Sequence, residues 1–119
     1  MAKIIIVEDE AIVAMATKLM LRDLSHEIII VVSQGEHAVL ENNRNDADLI
    51  LMDIKLKGEM DGIHAAEEIR KLKNTPILFV TGNSDAKTRS RIENISNSSI
   101  LQKPVMTEDL ARSLKTLLN

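Results

Sequence analysis

The sequence contains no cysteine, no tryptophan and no tyrosine. Without thiols, disulfides and thiolate metal sites are excluded, which suits a reducing cytoplasm. Phe79 is the only member of the Phe, Trp and Tyr set. A stacking platform for bases or sugars is therefore ruled out, and the core must be built from Ile, Leu, Val, Ala and Met. The four glycines form neither GxGxxG nor a P-loop pattern, so a nucleotide site would lack its phosphate cradle. No apolar run approaches the ~18 residues of a membrane span. In the opening MAKIIIVEDE the apolar part is too short for a signal peptide and acids follow it at once. Neither sign of charge dominates. Fifteen Lys and Arg against eighteen Asp and Glu leave a net charge of −3, with no basic stripe to meet nucleic acid.

What remains is 119 residues, 45% of them hydrophobic. That length fits one domain spanning 1–119. Five short apolar runs stand out: Lys3–Val7, Ile28–Val32, Leu49–Met52, Ile77–Val80 and Ile100–Leu101 with its flanks. The first four do not alternate, as expected of parallel strands buried on both faces. Between them lie segments of helical period. Ala11–Leu24 carries Ile12, Met15, Ala16, Leu19 and Met20 at i, i+3, i+4 spacing. Gln34–Asn43 is shorter. Gly62–Leu72 sets Ile63, Ala66, Ile69 and Leu72 on one face, and Asp85–Ile95 is mostly polar. Thr107–Leu118 repeats leucine, with Thr107 as its expected N-cap. Met15, Met20 and Met52 read as packing residues. The pattern is βα five times over. Right-handed crossovers then give a doubly wound, open α/β sheet of five parallel strands and five helices.

In such a sheet, ligands sit outside the carboxyl ends of the strands. Glu8 and Asp9 follow the first strand, Asp53 the third, Thr81 the fourth and Lys103-Pro104 the fifth. Carboxylates on neighbouring strand ends, roughly 5 Å apart, repel by about 3 kcal/mol at an effective dielectric of 20. A fold has no need of that cost, and a divalent cation or an ammonium group relieves it. Oxygen ligands without His or Cys suit Mg²⁺. The set suits phosphoryl transfer: Asp53 as nucleophile, Glu8 and Asp9 on Mg²⁺, and Thr81 and Lys103 on the phosphoryl oxygens. His26, His37 and His64 share no ligand spacing and read as surface or partly buried residues. Asp61-Gly62 reads as a turn and helix start.

These motifs resemble the receiver domain of two-component response regulators. The likeness covers the whole chain and rests on IIIVEDE, LILMDIKLKGEMDG, FVTGN and LQKP, each after its own strand. It implies the flavodoxin-like strand order 2-1-3-4-5 and phosphorylation at Asp53. It also implies Mg²⁺ at Glu8, Asp9, Asp53 and the backbone carbonyl of Lys55, with Thr81 and Lys103 as switch hydroxyl and lysine. The Lys103–Pro104 bond would be cis. The donor would be a phosphohistidine on a histidine kinase or phosphotransfer protein. A downstream partner or a second copy would meet the face of the fourth helix, fifth strand and fifth helix. Such a domain is a cytoplasmic signalling module rather than a turnover enzyme.

Two positions depart from the family pattern. Ile100 stands where receivers usually carry Tyr or Phe, and LKGEMDG is one residue longer than the chemotaxis type. Two other readings remain open on the residues. One is a degenerate receiver that binds partners without phosphorylation. The other is an aspartyl-nucleophile phosphatase, which would want an acid two residues after the nucleophile, where Lys55 stands.

Overall fold

A computed structural model describes residues 1–83 and 85–119. The described residues form five strands and five helices in strict alternation. The strands are β1 (Lys3–Val7), β2 (Glu27–Val32), β3 (Leu49–Asp53), β4 (Ile77–Thr81) and β5 (Ser98–Gln102). The helices are α1 (Ala11–Asp23), α2 (Gly35–Arg44), α3 (Gly62–Arg70), α4 (Ala86–Glu93) and α5 (Thr107–Leu118). All strand pairs are parallel, in the order β2-β1-β3-β4-β5. That is the order the family resemblance implies.

Strand parity divides the core between two layers, because successive side chains point to opposite faces. Ile5, Val7, Ile50, Met52, Ile77 and Phe79 face α2, α3 and α4, where they meet Ala38, Ile63, Ala66, Ile69 and Ile92. Ile4, Ile6, Leu49, Leu51, Leu78 and Val80 face α1 and α5, meeting Leu21, Leu110 and Leu114. Each fully buried Ile or Leu contributes about 1.5–3 kcal/mol. This explains why β1, β3 and β4 read as unbroken apolar runs. On the open edge, β2 is only partly buried along most of its length.

The helices differ from the sequence reading in detail. Met15 does not pack in the core: it is 65% exposed, and Ile12 and Leu19 on the same face are exposed too. α1 instead buries Ala14, Thr17 and Leu21. The face of α1 turned to the sheet is the one that carries Leu21, so the stripe of Ile12, Met15 and Leu19 turns outward. Leu72 is exposed beyond the end of α3. Thr107 is the first residue of α5 rather than its N-cap; Met106 holds that position without a side-chain bond. Asp85 lies outside α4 and caps it, accepting from the Thr88 N–H at 2.8 Å.

Candidate functional site

Parallel register brings the strand ends together. Val7 of β1 lies opposite Met52 of β3, so Glu8, just past the end of β1, comes beside Asp53, the last residue of β3. Asp53 pairs in turn with Val80, the residue before Thr81. Thr81 pairs with Gln102, and the Lys103 N–H donates to the Thr81 carbonyl at 2.8 Å. The five residues singled out from the sequence thus share one edge of the sheet. Lys103-Pro104 is a cis peptide.

Lys103 reaches back across this edge. Its Nζ lies 3.2 Å from Glu8 Oε1 and 3.3 Å from Asp53 Oδ2. Both carboxylates are buried, at 7% and 6% exposure, so neither is fully hydrated. Burial pushes the Glu8 carboxyl above the ordinary carboxylate range, and Asp53 beside it adds to the rise. The Glu10 N–H, bonded to Glu8 Oε2 at 3.1 Å, and Lys103 pull the other way without winning. Burial also works against the Lys103 ammonium, but Asp53 and Glu8 outweigh it and raise its pKa. The lysine therefore stays charged.

One lysine does not neutralise three acids. Glu8, Asp9 and Asp53 each offer a carboxylate oxygen, all within 4.8 Å of one another. This all-oxygen donor set fits a hard divalent cation such as Mg²⁺ better than a thiolate- or imidazole-seeking metal. A cleft of about 530 Å³ opens over it, lined by Asp9, Glu10, Asp53, Lys55, Lys57, Thr81, Gly82, Asn83 and Lys103. A second, mainly apolar cavity of about 470 Å³ adjoins it between α1 and the Pro104-Val105 segment.

Thr81 is buried at this edge, but its hydroxyl is engaged locally. Oγ1 donates to the Asn83 carbonyl at 2.8 Å and accepts from the Asn83 N–H at 3.1 Å. To reach a group on Asp53, the hydroxyl must leave the Asn83 carbonyl. Lys55 is exposed on the rim of the cleft.

The loop between β3 and α3 carries Lys55 near its start and ends at the turn and helix start of Asp61-Gly62. It passes through Gly58 at φ +96°, a backbone conformation glycine adopts without strain. It closes where the Gly62 N–H donates to the Ile54 carbonyl at 2.8 Å. Asp61 caps α3, its Oδ1 accepting from the His64 N–H at 2.7 Å. It also takes two bonds from the Arg91 guanidinium, at 2.9 and 3.3 Å. The sequence reading missed Lys57 in the cleft and Arg91 behind the loop. No local motif marks either one.

A carboxylate trio and a lysine at the carboxyl edge of a 2-1-3-4-5 sheet define a receiver-type α/β domain. The chain belongs to the response regulator receiver domain family, whose pattern matches residues 4–115. It is 32% identical over 113 residues to the transcriptional regulatory protein PdtaR of Mycobacterium tuberculosis, covering 95% of this chain and 55% of that protein. It is 28% identical to the transcriptional regulatory protein ResD of Bacillus subtilis, covering 98% of this chain and 48% of that protein. The chain thus spans about half the length of these curated relatives. Among solved structures, it resembles the receiver domain of the sensor histidine kinase PA1611 of Pseudomonas aeruginosa, with TM-score 0.88 and 30% identity. That match covers 98% of this chain and 97% of the other, which holds a magnesium ion in its active-site cleft. The chain is thus a signalling domain of the two-component type. Among the described residues, no helix is long and apolar enough to cross a membrane.

Proposed function

We propose that Asp53 accepts a phosphoryl group and that the resulting charge switches the contacts of this domain with other proteins. The observation that carries this reading is the juxtaposition of three carboxylates within 4.8 Å with the Lys103 ammonium 3.3 Å from Asp53. An Asp53 carboxylate oxygen forms the new bond to phosphorus. The bond from phosphorus to the donor breaks, and its electron pair leaves with the donor. With a phosphohistidine donor, the leaving atom is an imidazole nitrogen, which then takes up a proton. Glu8, Asp9, Asp53 and the Lys55 carbonyl would hold Mg²⁺, which when bound offsets the negative charge gathering at the acceptor. Lys103 holds its ammonium beside the acceptor, and Thr81 supplies a hydroxyl once it leaves Asn83.

The donor class is a histidine kinase or phosphotransfer protein. The output is a protein contact through the face of α4, β5 and α5, to a downstream partner or a second copy. Residues 1–119 act as one receiver unit in the cytoplasm, with no direct role for nucleic acid or a membrane. Self-catalysed loading and loss of the phosphoryl group, rather than turnover of a substrate, is the chemistry assigned.

The test is incubation with acetyl phosphate and Mg²⁺, followed by intact-mass measurement. One phosphoryl group should be gained, none when Mg²⁺ is chelated, and none in Asp53→Asn. Multiple turnover of small phosphoesters would point to a phosphatase. No adduct with any donor would point to a phosphorylation-independent module.

A further inference from the structure

α4 is the shortest of the five helices and buries the fewest of its own residues. It spans eight residues and buries Ile92, with Ile95 just beyond its end. Those two side chains share the core cluster with Phe79, and Ile100 packs against the same cluster. With Ile100 in place of a ring, β5 offers no aromatic side chain that could swing between Thr81 and α4. The polar tethers of α4 are therefore informative. At its N-terminal end the β4–α4 connection is held by the paired bonds between Thr81 and Asn83. Along the helix, Arg91 clasps Asp61 with two bonds.

Asp61 is not a remote anchor. The next residue, Gly62, bonds the Ile54 carbonyl, and a Cβ built on Gly62 would stand 2.0 Å from the Asp53 carbonyl oxygen. The backbones of the acceptor and of the Asp61-Gly62 corner are thus in contact with no slack. These contacts run from the Asp53–Ile54 backbone to the Asp61-Gly62 corner, and the Arg91 bonds continue them to α4. Three contacts link the phosphoryl site to the helix, and none of them uses β5.

We propose that Arg91 is a positioning residue of the acceptor site: its ion pair with Asp61 holds α4 in the unmodified arrangement, and loading of Asp53 works against that hold. The inference rests on Asp53 being the acceptor. The pair is half-exposed, at 41% and 36% for the two side chains. An exposed pair is a modest restraint, which suits one that a bound group must release. Linkage is reciprocal. If loading of Asp53 weakens the pair, removal of the pair must strengthen loading.

Beryllofluoride, a phosphoryl mimic, provides the test in the presence of Mg²⁺. Arg91→Gln removes the charge of the donor, and Asp61→Asn keeps an N-cap for α3 while removing the acceptor's charge. Affinity for beryllofluoride should rise by about two- to fivefold in each single variant. The double variant should bind no more tightly than either single one. Hydrogen exchange across residues 86–95 should quicken when the wild type is loaded. It should already be quick in unloaded Arg91→Gln, with little further response. A purely structural pair would quicken exchange in the variant without changing affinity at Asp53, and that result overturns the proposal. So do additive effects in the double variant, or a wild type whose α4 exchange ignores loading. If the wild type takes neither beryllofluoride nor a phosphoryl group, the acceptor reading fails and this inference falls with it. Normal loading of the wild type with unaltered affinity in both variants overturns the role of Arg91 alone.

Discussion

Gly62 stands against the carbonyl oxygen of Asp53 so closely that a Cβ at position 62 would lie 2.0 Å from it. The first helical residue of α3 and the last residue of β3 are thus fitted backbone to backbone. A shift of the Asp53 main chain toward α3 would press on the corner that begins that helix.

Substitution of Gly62 by alanine should therefore cost about 1–3 kcal/mol or more, because backbone rather than a side-chain tip must give way. Urea denaturation measures the loss. Gly82→Ala is the control. It lines the cleft over the carboxylates, a Cβ added there would meet nothing within 4 Å, and the change should fall within about 0.5 kcal/mol. Equal losses at the two glycines would contradict the close fit at Gly62.

Glu8 is buried beside a second carboxylate, and its pKa is raised chiefly by that burial. Glu8→Gln should stabilise the protein without divalent cation, by on the order of 1 kcal/mol, because a charge that is costly to bury and repelled by Asp53 is removed. The same variant should lose most of the rise in melting temperature that Mg²⁺ gives the wild type. Thermal melts with Mg²⁺ and with chelator read both effects. A variant that is weaker without Mg²⁺ yet keeps the full Mg²⁺ response would remove Glu8 from the cation site.

The Asp61–Arg91 pair carries a pH signature. Burial alone would raise the Asp61 carboxyl, but bonds from Arg91 and from backbone N–H groups outweigh it and hold it below its ordinary value of 3.8. A carboxyl depressed in the folded state contributes stability that is fully present above the unfolded value. That contribution is lost as pH falls through the lower folded value. Arg91→Gln should thus cost about 0.2–1 kcal/mol at neutral pH, in keeping with an exposed pair. The difference from wild type should shrink as pH falls below 3.8. Paired denaturation curves across that range check the sign. A difference that grows in acid would contradict it.

Much of the fold was legible because β1, β3 and β4 are buried on both faces and leave no polar alternation. The candidate site was legible for a topological reason. Parallel strands all end on one edge, so the residues after each strand become neighbours whatever their distance in sequence. α1 was harder. Periodicity identifies an apolar stripe but not its rotation against the sheet, and Ala14, Thr17 and Leu21 are the buried face while Met15 faces solvent. The engagement of Thr81 with Asn83 depends on one rotamer, which no spacing rule specifies. Arg91 and Asp61 lie 30 residues apart. Their pairing exists only in the folded chain, where Arg91 of α4 reaches the N-cap of α3, and neither residue is unusual in its own segment.

The most direct test of the central claim is to locate the phosphoryl group. After loading with acetyl phosphate and Mg²⁺, borohydride reduction converts an aspartyl phosphate to homoserine, and peptide mass spectrometry finds the converted residue. Conversion at Asp53, with Glu8 and Asp9 untouched, is the predicted result. Conversion at another carboxylate, or none in protein that has gained a phosphoryl group, would contradict the account.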